Sequence, residues 1–121
     1  MGGQMTKSAI VYGLKNCDSC RKAVKALQAA DFETELKDVR ADPLDREILA
    51  EWVAALGDAL VNRRSPTWRA LDDAEKAFAE APEQVPDLLI SHPTVMKRPV
   101  IVSEGHILLG WSSDTQTRLG L

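Results

Sequence analysis

Three patterned segments at the start of the chain alternate between strand and helix. Residues 9–12 form a short apolar run rich in β-forming residues, and Gly13 closes it. From Asp18 to Ala30, apolar residues recur at helical spacing opposite a charged face. Residues 32–36 then alternate charged side chains with Phe, Thr and Leu, the pattern of a strand covered on one face. A strand, a helix and a strand in this order predict parallel pairing through a right-handed crossover.

The middle of the chain is predicted to be helical. The first helix in this part is the clearest, because a capping carboxylate and a proline precede an apolar stripe that ends at Gly57. The last helix must stop at Pro93. The predicted helices begin at Asp42-Pro43, Ser65-Pro66, Asp72 and Pro86.

The end of the chain carries a hairpin pattern. Residues 100–102 and 107–109 are apolar runs, and the short polar stretch between them contains Gly105. Ser112 or Ser113 can then cap a final helix. The sequence therefore predicts an α/β fold with a four-stranded mixed sheet, in the order β-α-β, inserted helical segment, β-β-α, with the order of strands in the sheet left open.

Length, charge and cysteine content limit the classes of function. The 121 residues suit one domain, predicted over residues 8–121, with a helical insertion over about 43–92 and a disordered extension over 1–7. A formal net charge of −3 argues against direct nucleic-acid binding. No apolar run approaches the ~18 residues of a membrane span. With two cysteines and no secretory signal pattern, we expect a soluble, monomeric protein of the reducing cytoplasm.

The chemistry is predicted at Cys17 and Cys20, which follow a strand and its loop. They lie at the start of a helix, where backbone N–H groups lack partners and the helix dipole is positive. These N–H groups and nearby cations such as Lys15 favour a thiolate, so the pKa of Cys17 is expected to be lowered. Cys20 lies one turn further on and can attack a mixed disulfide on Cys17. Cys17 is therefore the predicted nucleophile, and Cys20 is the predicted resolving thiol.

Two other interpretations of the cysteines are open. Each could be a small apolar residue of the core. A zinc site would need two more ligands, and His92 and His106 are far along the chain and not in a usual ligand spacing. We therefore expect no metal site and no bound cofactor.

Separated motifs give the chain a family resemblance. In sequence order they are the cysteine run at 11–23, the arginine motif at 62–69, the arginine-proline motif at 96–101, and Leu109-Gly110-Trp111. Together they resemble the arsenate reductase (ArsC) and Spx-like family over residues 8–119. Within that family the chain is most similar to the uncharacterised YffB-type members, which are suspected of glutathione-dependent thiol reduction.

The resemblance implies a thioredoxin-like fold with an inserted helical segment, and it implies catalytic residues by position. The nucleophile corresponds to Cys17, and the arginines that hold an oxyanion correspond to Arg64 and Arg98. Arg63 takes the place of Arg64 if the match slips by one residue. A guanidinium beside a thiolate can hold an anionic substrate group and lower the pKa of the thiol further.

The family resemblance also implies a set of substrate-binding residues. Pro99 resembles the cis-proline that faces the active site in thioredoxin-like folds. Lys15 and Asn16 immediately precede the nucleophile. We expect these three residues to bind substrate together with Arg64 and Arg98.

Three functions follow from the resemblance. The first is a thiol-disulfide oxidoreductase in which Cys17 attacks a small disulfide or glutathionylated sulfur, and glutathione is the co-substrate. The second is an arsenate reductase that takes electrons from glutathione or glutaredoxin. The third is an Spx-type regulator, in which a Cys17–Cys20 disulfide controls contact with the α subunit of RNA polymerase. We expect the first.

Overall fold

A computed structural model describes residues 7–121 of the chain. Apart from Lys7, the extension predicted over residues 1–7 lies outside the described residues. The described chain divides into two compact units. The sheet unit comprises the residues up to Asp38 together with Arg98–Leu121, and the helical unit comprises Val39–Lys97.

The sheet unit contains the predicted four-stranded mixed sheet. Strand β1 (Ser8–Gly13) pairs in parallel with β2 (Glu33–Asp38) and antiparallel with β3 (Val100–Ser103). Strand β4 (His106–Leu109) pairs antiparallel with β3. The order across the sheet is β2-β1-β3-β4, so the strand that precedes the cysteines is central. The predicted parallel pairing of β1 with β2 and the predicted hairpin are both confirmed.

The hairpin between β3 and β4 turns at Glu104 and Gly105. Both residues have positive φ, 48° and 83°, the conformation that a two-residue turn of type I′ requires. Gly105 adopts this conformation without the steric cost that a side chain adds. The turn fixes the register in which Val100 faces Leu109.

Two helices belong to the sheet unit, α1 (Asp18–Ala29) and α6 (Ser113–Arg118). The apolar stripe of α1 lies over the sheet, as its spacing predicts. Helix α6 is capped by Ser112, whose hydroxyl accepts a hydrogen bond from the Thr115 N–H at 3.2 Å. Buried residues of β1, β3, β4, α1, the turn before β2 and the chain end form one core: Ala9, Val11, Cys20, Ala23, Leu27, Phe32, Ile101, Leu108 and Leu119.

The helical unit contains four further helices. One 3₁₀ turn lies between the first two of these helices and two lie between the last two, and α2 packs against α5. Its largest buried side chains include Leu49, Trp52, Leu60, Leu88 and Met96. The helices are α2 (Arg46–Leu56), α3 (Pro66–Ala70), α4 (Asp73–Ala77) and α5 (Val85–Ser91).

The structure corrects the predicted start of α2. Asp42-Pro43 lies before the helix, and Asp45 is the capping residue, because its Oδ1 accepts a hydrogen bond from the Ile48 N–H at 2.9 Å. The predicted end is right: Gly57 follows the helix with φ of 63°. The cap at Ser65 is also confirmed, since its hydroxyl accepts from the Trp68 N–H at 3.1 Å.

Among the helices that the structure describes, none combines the length and the apolar character needed to cross a membrane.

Candidate active site

Cys17 occupies the position just before the first turn of α1. Its backbone is extended, with φ of −93° and ψ of 123°, and its side chain is partly exposed. The Cys17 N–H donates to the Leu14 carbonyl oxygen at 3.2 Å, and its own carbonyl oxygen accepts from the Arg21 N–H at 3.0 Å. The sulfur therefore lies at the positive end of the helix, as the sequence predicts.

The pKa of Cys17 is lowered from its ordinary value. Partial burial raises this pKa, but hydrogen bonds to the sulfur outweigh that effect. The donors are the N–H and the thiol of Cys20, the N–H of Ser19 and the side chain of Arg98. The direction agrees with the prediction from the sequence, although Arg98 supplies the charge that was expected from cations such as Lys15.

Cys20 has the opposite chemistry. It lies in α1 with 0% of its surface exposed, and burial raises the pKa of its thiol to about 12. The hydrogen bond and the charge of Cys17 also raise this pKa. The N–H of Leu14 and the charge of Arg98 lower it. At neutral pH, Cys20 therefore remains a thiol, and its S–H group donates a hydrogen bond to the Cys17 sulfur.

Gly13 makes room for the Cys20 sulfur at the end of β1. A Cβ atom at this position would lie well inside van der Waals contact of the Cys20 Sγ atom and 3.9 Å from the Arg98 Cβ atom. Gly13 is therefore required by close packing rather than by an unusual backbone angle. Three elements of the sheet unit, the end of β1, the start of α1 and the start of β3, meet at this point.

Arg98 and Pro99 reach the cysteines because β3 pairs with β1. The peptide bond between them is cis, as the resemblance implies. Pro99 is buried, and its carbonyl oxygen accepts from the Gly110 N–H at 2.8 Å. Arg98 is half-buried beside Gly13 and directs its guanidinium to Cys17. The structure thus brings Arg98 to Cys17, and Pro99 follows Arg98 in the chain.

The loop between β1 and α1 is held through both backbone hydrogen-bonding groups of Lys15. The Lys15 N–H donates to Asp38 Oδ2 at 3.1 Å, and the Lys15 carbonyl oxygen accepts from Arg21 Nε at 3.0 Å. The side chains of Lys15 and Asn16 are exposed. Asp38 was not among the predicted site residues; the available signal was its place just beyond a strand predicted parallel to β1.

Arg64 belongs to the helical unit, as does its neighbour Arg63. Arg63 makes two hydrogen bonds to Asp58, at 2.9 and 2.8 Å, and lies over the Trp68 ring at 5.3 Å. This ion pair raises the pKa of Arg63 and lowers that of Asp58. The Arg64 side chain is exposed, and its N–H donates to Asn62 Oδ1 at 3.0 Å. Of the two arginines, Arg64 is therefore the one without a structural ion pair to Asp58.

Within residues 7–121, the structure places no group of three or more His, Cys, Asp or Glu residues so that they could hold a metal ion.

The lowered pKa of Cys17 leads to a prediction about alkylation. The thiolate is the reactive form. The rate at which iodoacetamide modifies Cys17 should therefore rise with increasing pH, with a midpoint below about 8.5, the pKa of free cysteine. As the pH drops through the folded-state pKa of Cys17, this rate should fall. Cys20 should stay unmodified in the native protein, which mass spectrometry of labelled peptides can measure. In denaturant, both cysteines should react with the midpoint of free cysteine, and equal native reactivity would contradict the assignment.

Comparison with known proteins agrees with this architecture. A model of the ArsC family matches residues 12–119. An uncharacterised protein of Haemophilus influenzae is 41% identical over 103 residues, which are 84% of this chain and 90% of that protein. The global transcriptional regulator Spx of Listeria innocua is 25% identical over 108 residues, 86% of this chain and 80% of the regulator.

A solved structure supports the same conclusion. The YffB protein superposes with a TM-score of 0.81 at 33% identity, covering 91% of this chain and 96% of that chain. The predicted α/β, thioredoxin-like fold class is therefore confirmed. With nearly the whole chain matched by the family model, this protein belongs to the ArsC family.

Proposed function

We propose that this protein is a glutathione-dependent thiol-disulfide reductase, with Cys17 as its nucleophile. The observation that supports this proposal best is the contrast between two cysteines one helical turn apart. The pKa of Cys17 is lowered by the donors around it, whereas burial raises that of Cys20 to about 12. Such a pair holds one sulfur ready to attack and keeps the other protonated.

The reaction proceeds in three balanced steps. The Cys17 thiolate attacks one sulfur of a disulfide R–S–S–R′, which forms Cys17–S–S–R and releases R′–S⁻. Cys20 then loses its proton to solvent and attacks the Cys17 sulfur, which forms the Cys17–Cys20 disulfide and releases R–S⁻. Two glutathione thiols reduce that disulfide and leave as glutathione disulfide. Overall, one substrate disulfide becomes two thiols, and two glutathione molecules become one disulfide.

The first step prepares Cys20 for the second. Two of the effects that raise the pKa of Cys20 come from Cys17, through a hydrogen bond and through its charge. Both end when the Cys17 sulfur enters a neutral mixed disulfide. The N–H of Leu14 and the charge of Arg98, which lower the pKa of Cys20, remain. Burial, the largest of the effects that raise this pKa, also remains, so the Cys20 pKa falls only by the part that Cys17 contributes, and only after substrate has reacted.

Arg98 is proposed to act on the substrate as well as on Cys17. A guanidinium can hold a carboxylate in a bidentate arrangement, and glutathione carries carboxylates. Lys15 and Asn16 are exposed beside the nucleophile, and Pro99 adjoins Arg98. These four residues of the sheet unit form the proposed binding set for glutathione and for the second substrate.

Two measurements test the proposal. Turnover of bis(2-hydroxyethyl) disulfide, with glutathione, glutathione reductase and NADPH, should exceed the rate without protein. After exposure to oxidised glutathione, mass spectrometry should find either glutathione bound to Cys17 or a Cys17–Cys20 disulfide formed from that adduct. A protein that gives neither turnover nor an adduct is not a reductase of this kind.

Arsenate reduction is a second candidate, favoured by the position of Arg98. A guanidinium beside a thiolate can hold the oxygens of an oxyanion while sulfur attacks its central atom. Arsenate would be reduced to arsenite, with glutathione and glutaredoxin supplying two electrons. Arsenite formation in that mixture measures this activity, and a wild-type protein that forms none, while still reducing the small disulfide, removes this candidate.

A regulatory role is a third candidate, favoured by the 25% identity to Spx. In this case the Cys17–Cys20 disulfide would control contact with the α subunit of RNA polymerase. Retention of that subunit by the oxidised protein, and not by the reduced protein, would support regulation. Equal retention in both states would speak against it.

A further inference from the structure

A groove runs along α1 away from the nucleophile. Arg21, Val24, Lys25 and Gln28 of α1, together with Leu36 of β2, line an open cavity of about 330 Å³. Counted from Cys17, the helix residues come four, seven, eight and eleven positions later, and this spacing keeps them on one side of a helix. The groove therefore begins about one helical turn from Cys17.

The floor of the groove is apolar. Val24 and Leu36 are only partly buried, although both pack against the core of the sheet unit. They leave an apolar surface open between a helix and the edge strand of the sheet. A segment of another chain that lay here would cover this surface as well as approach Cys17.

The helix side of the groove is positively charged. Arg21 and Lys25 are exposed and one turn apart, and the hydrogen bond from Arg21 Nε to the Lys15 carbonyl oxygen holds the guanidinium in place. Within residues 18–29, Asp18 is the single carboxylate, and it lies in the first turn. The charge along the groove is therefore complementary to acidic side chains that lie beyond the first turn.

We propose that this groove binds the acidic segment of a peptide or protein disulfide whose cysteine reacts with Cys17. The inference rests on the proposed reductase function and names its substrate class. Along a helix, Arg21 lies about 6 Å and Lys25 about 12 Å beyond Cys17, at 1.5 Å per residue. An extended peptide covers about 3.3 Å per residue, so its acidic residues belong two to four positions from the reacting cysteine.

Peptide disulfides of different charge test this inference. Three short peptides would carry one cysteine and Glu, Gln or Lys at two to four positions on each side of it, each supplied as its disulfide-linked dimer. In the Cys20→Ser protein the adduct on Cys17 accumulates, and mass spectrometry gives the rate constant. The Glu peptide should react about tenfold faster than the Lys peptide at low salt, and the difference should shrink at high salt.

Two charge reversals on α1 provide the matched comparison. Lys25→Glu should reverse the order of the Glu and Lys peptides. Lys22→Glu makes the same change in charge, but Lys22 follows Arg21 by one residue and is therefore rotated from it by about 100° around the helix. This variant should keep the wild-type order of peptide rates. Equal rates for the three peptides, or the same loss of preference in both variants, would overturn the groove as the binding site.

A neutral disulfide separates this inference from the proposed function. Bis(2-hydroxyethyl) disulfide should react with Cys17 at similar rates in the wild-type, Lys22→Glu and Lys25→Glu backgrounds. If it reacts and the peptides show no charge preference, the reductase stands and the groove proposal fails. If it does not react with Cys17 at all, the proposed function itself fails.

Discussion

Replacing Cys17 by serine is expected to abolish disulfide turnover, with a loss on the order of a thousandfold or more. A serine hydroxyl stays protonated at neutral pH, so the hydrogen bonds that stabilise the Cys17 thiolate have no anion to act on. Cys20→Ser should lose only about tenfold, because glutathione can resolve the adduct on Cys17 directly. The coupled assay with bis(2-hydroxyethyl) disulfide measures both losses.

The Cys20→Ala variant serves as the control for the hydrogen bond to Cys17. Serine can still donate to the Cys17 sulfur, whereas alanine cannot, so the alkylation midpoint of Cys17 should be higher in Cys20→Ala than in Cys20→Ser. If Cys17→Ser retained turnover while Cys20→Ser lost it, the two roles would have to be exchanged.

Gly13→Ala is expected to destabilise the reduced protein by about 1–3 kcal/mol. The new methyl group would overlap the Cys20 Sγ atom, which is enclosed in the core and cannot move aside without repacking. In a Cys20→Ala background, the nearest atom of that residue would be its Cβ, at 3.4 Å, an acceptable contact. The same substitution should therefore cost much less there.

Urea denaturation of the four proteins in this double-mutant cycle measures the coupling between the two positions. The free energies of unfolding should be far from additive, since one substitution removes the clash that the other creates. An equal cost of Gly13→Ala in both backgrounds would show that something other than the Cys20 sulfur requires glycine at position 13.

Local patterns were sufficient to predict the elements of the sheet unit. Helix α1 and strands β1 and β2 follow from spacing that each segment carries in itself, and the cap at Ser65 follows from a side chain that bonds within its own turn. The predicted start of α2 was wrong by three residues because Asp42 and Asp45 offer the same capping chemistry.

The arrangement of the site depends on contacts between distant residues, and these have no local signal. Nothing around Gly13 indicates that the Cys20 sulfur will fill the space beside it. Likewise, the pairing of β3 with β1, which places Arg98 at Cys17, joins segments from opposite ends of the chain. The family resemblance supplied Arg98 where the pattern of the residues could not.

This pairing also has a consequence for biosynthesis. Cys17 leaves the ribosome long before Arg98, so the newly made thiol lacks its guanidinium until β3 has joined β1. Until then the Cys17 thiolate lacks one of the hydrogen bonds that lower its pKa, so that pKa should be higher than in the folded protein. The rate at which a refolding sample gains alkylation at mildly acidic pH would therefore report when the sheet is complete.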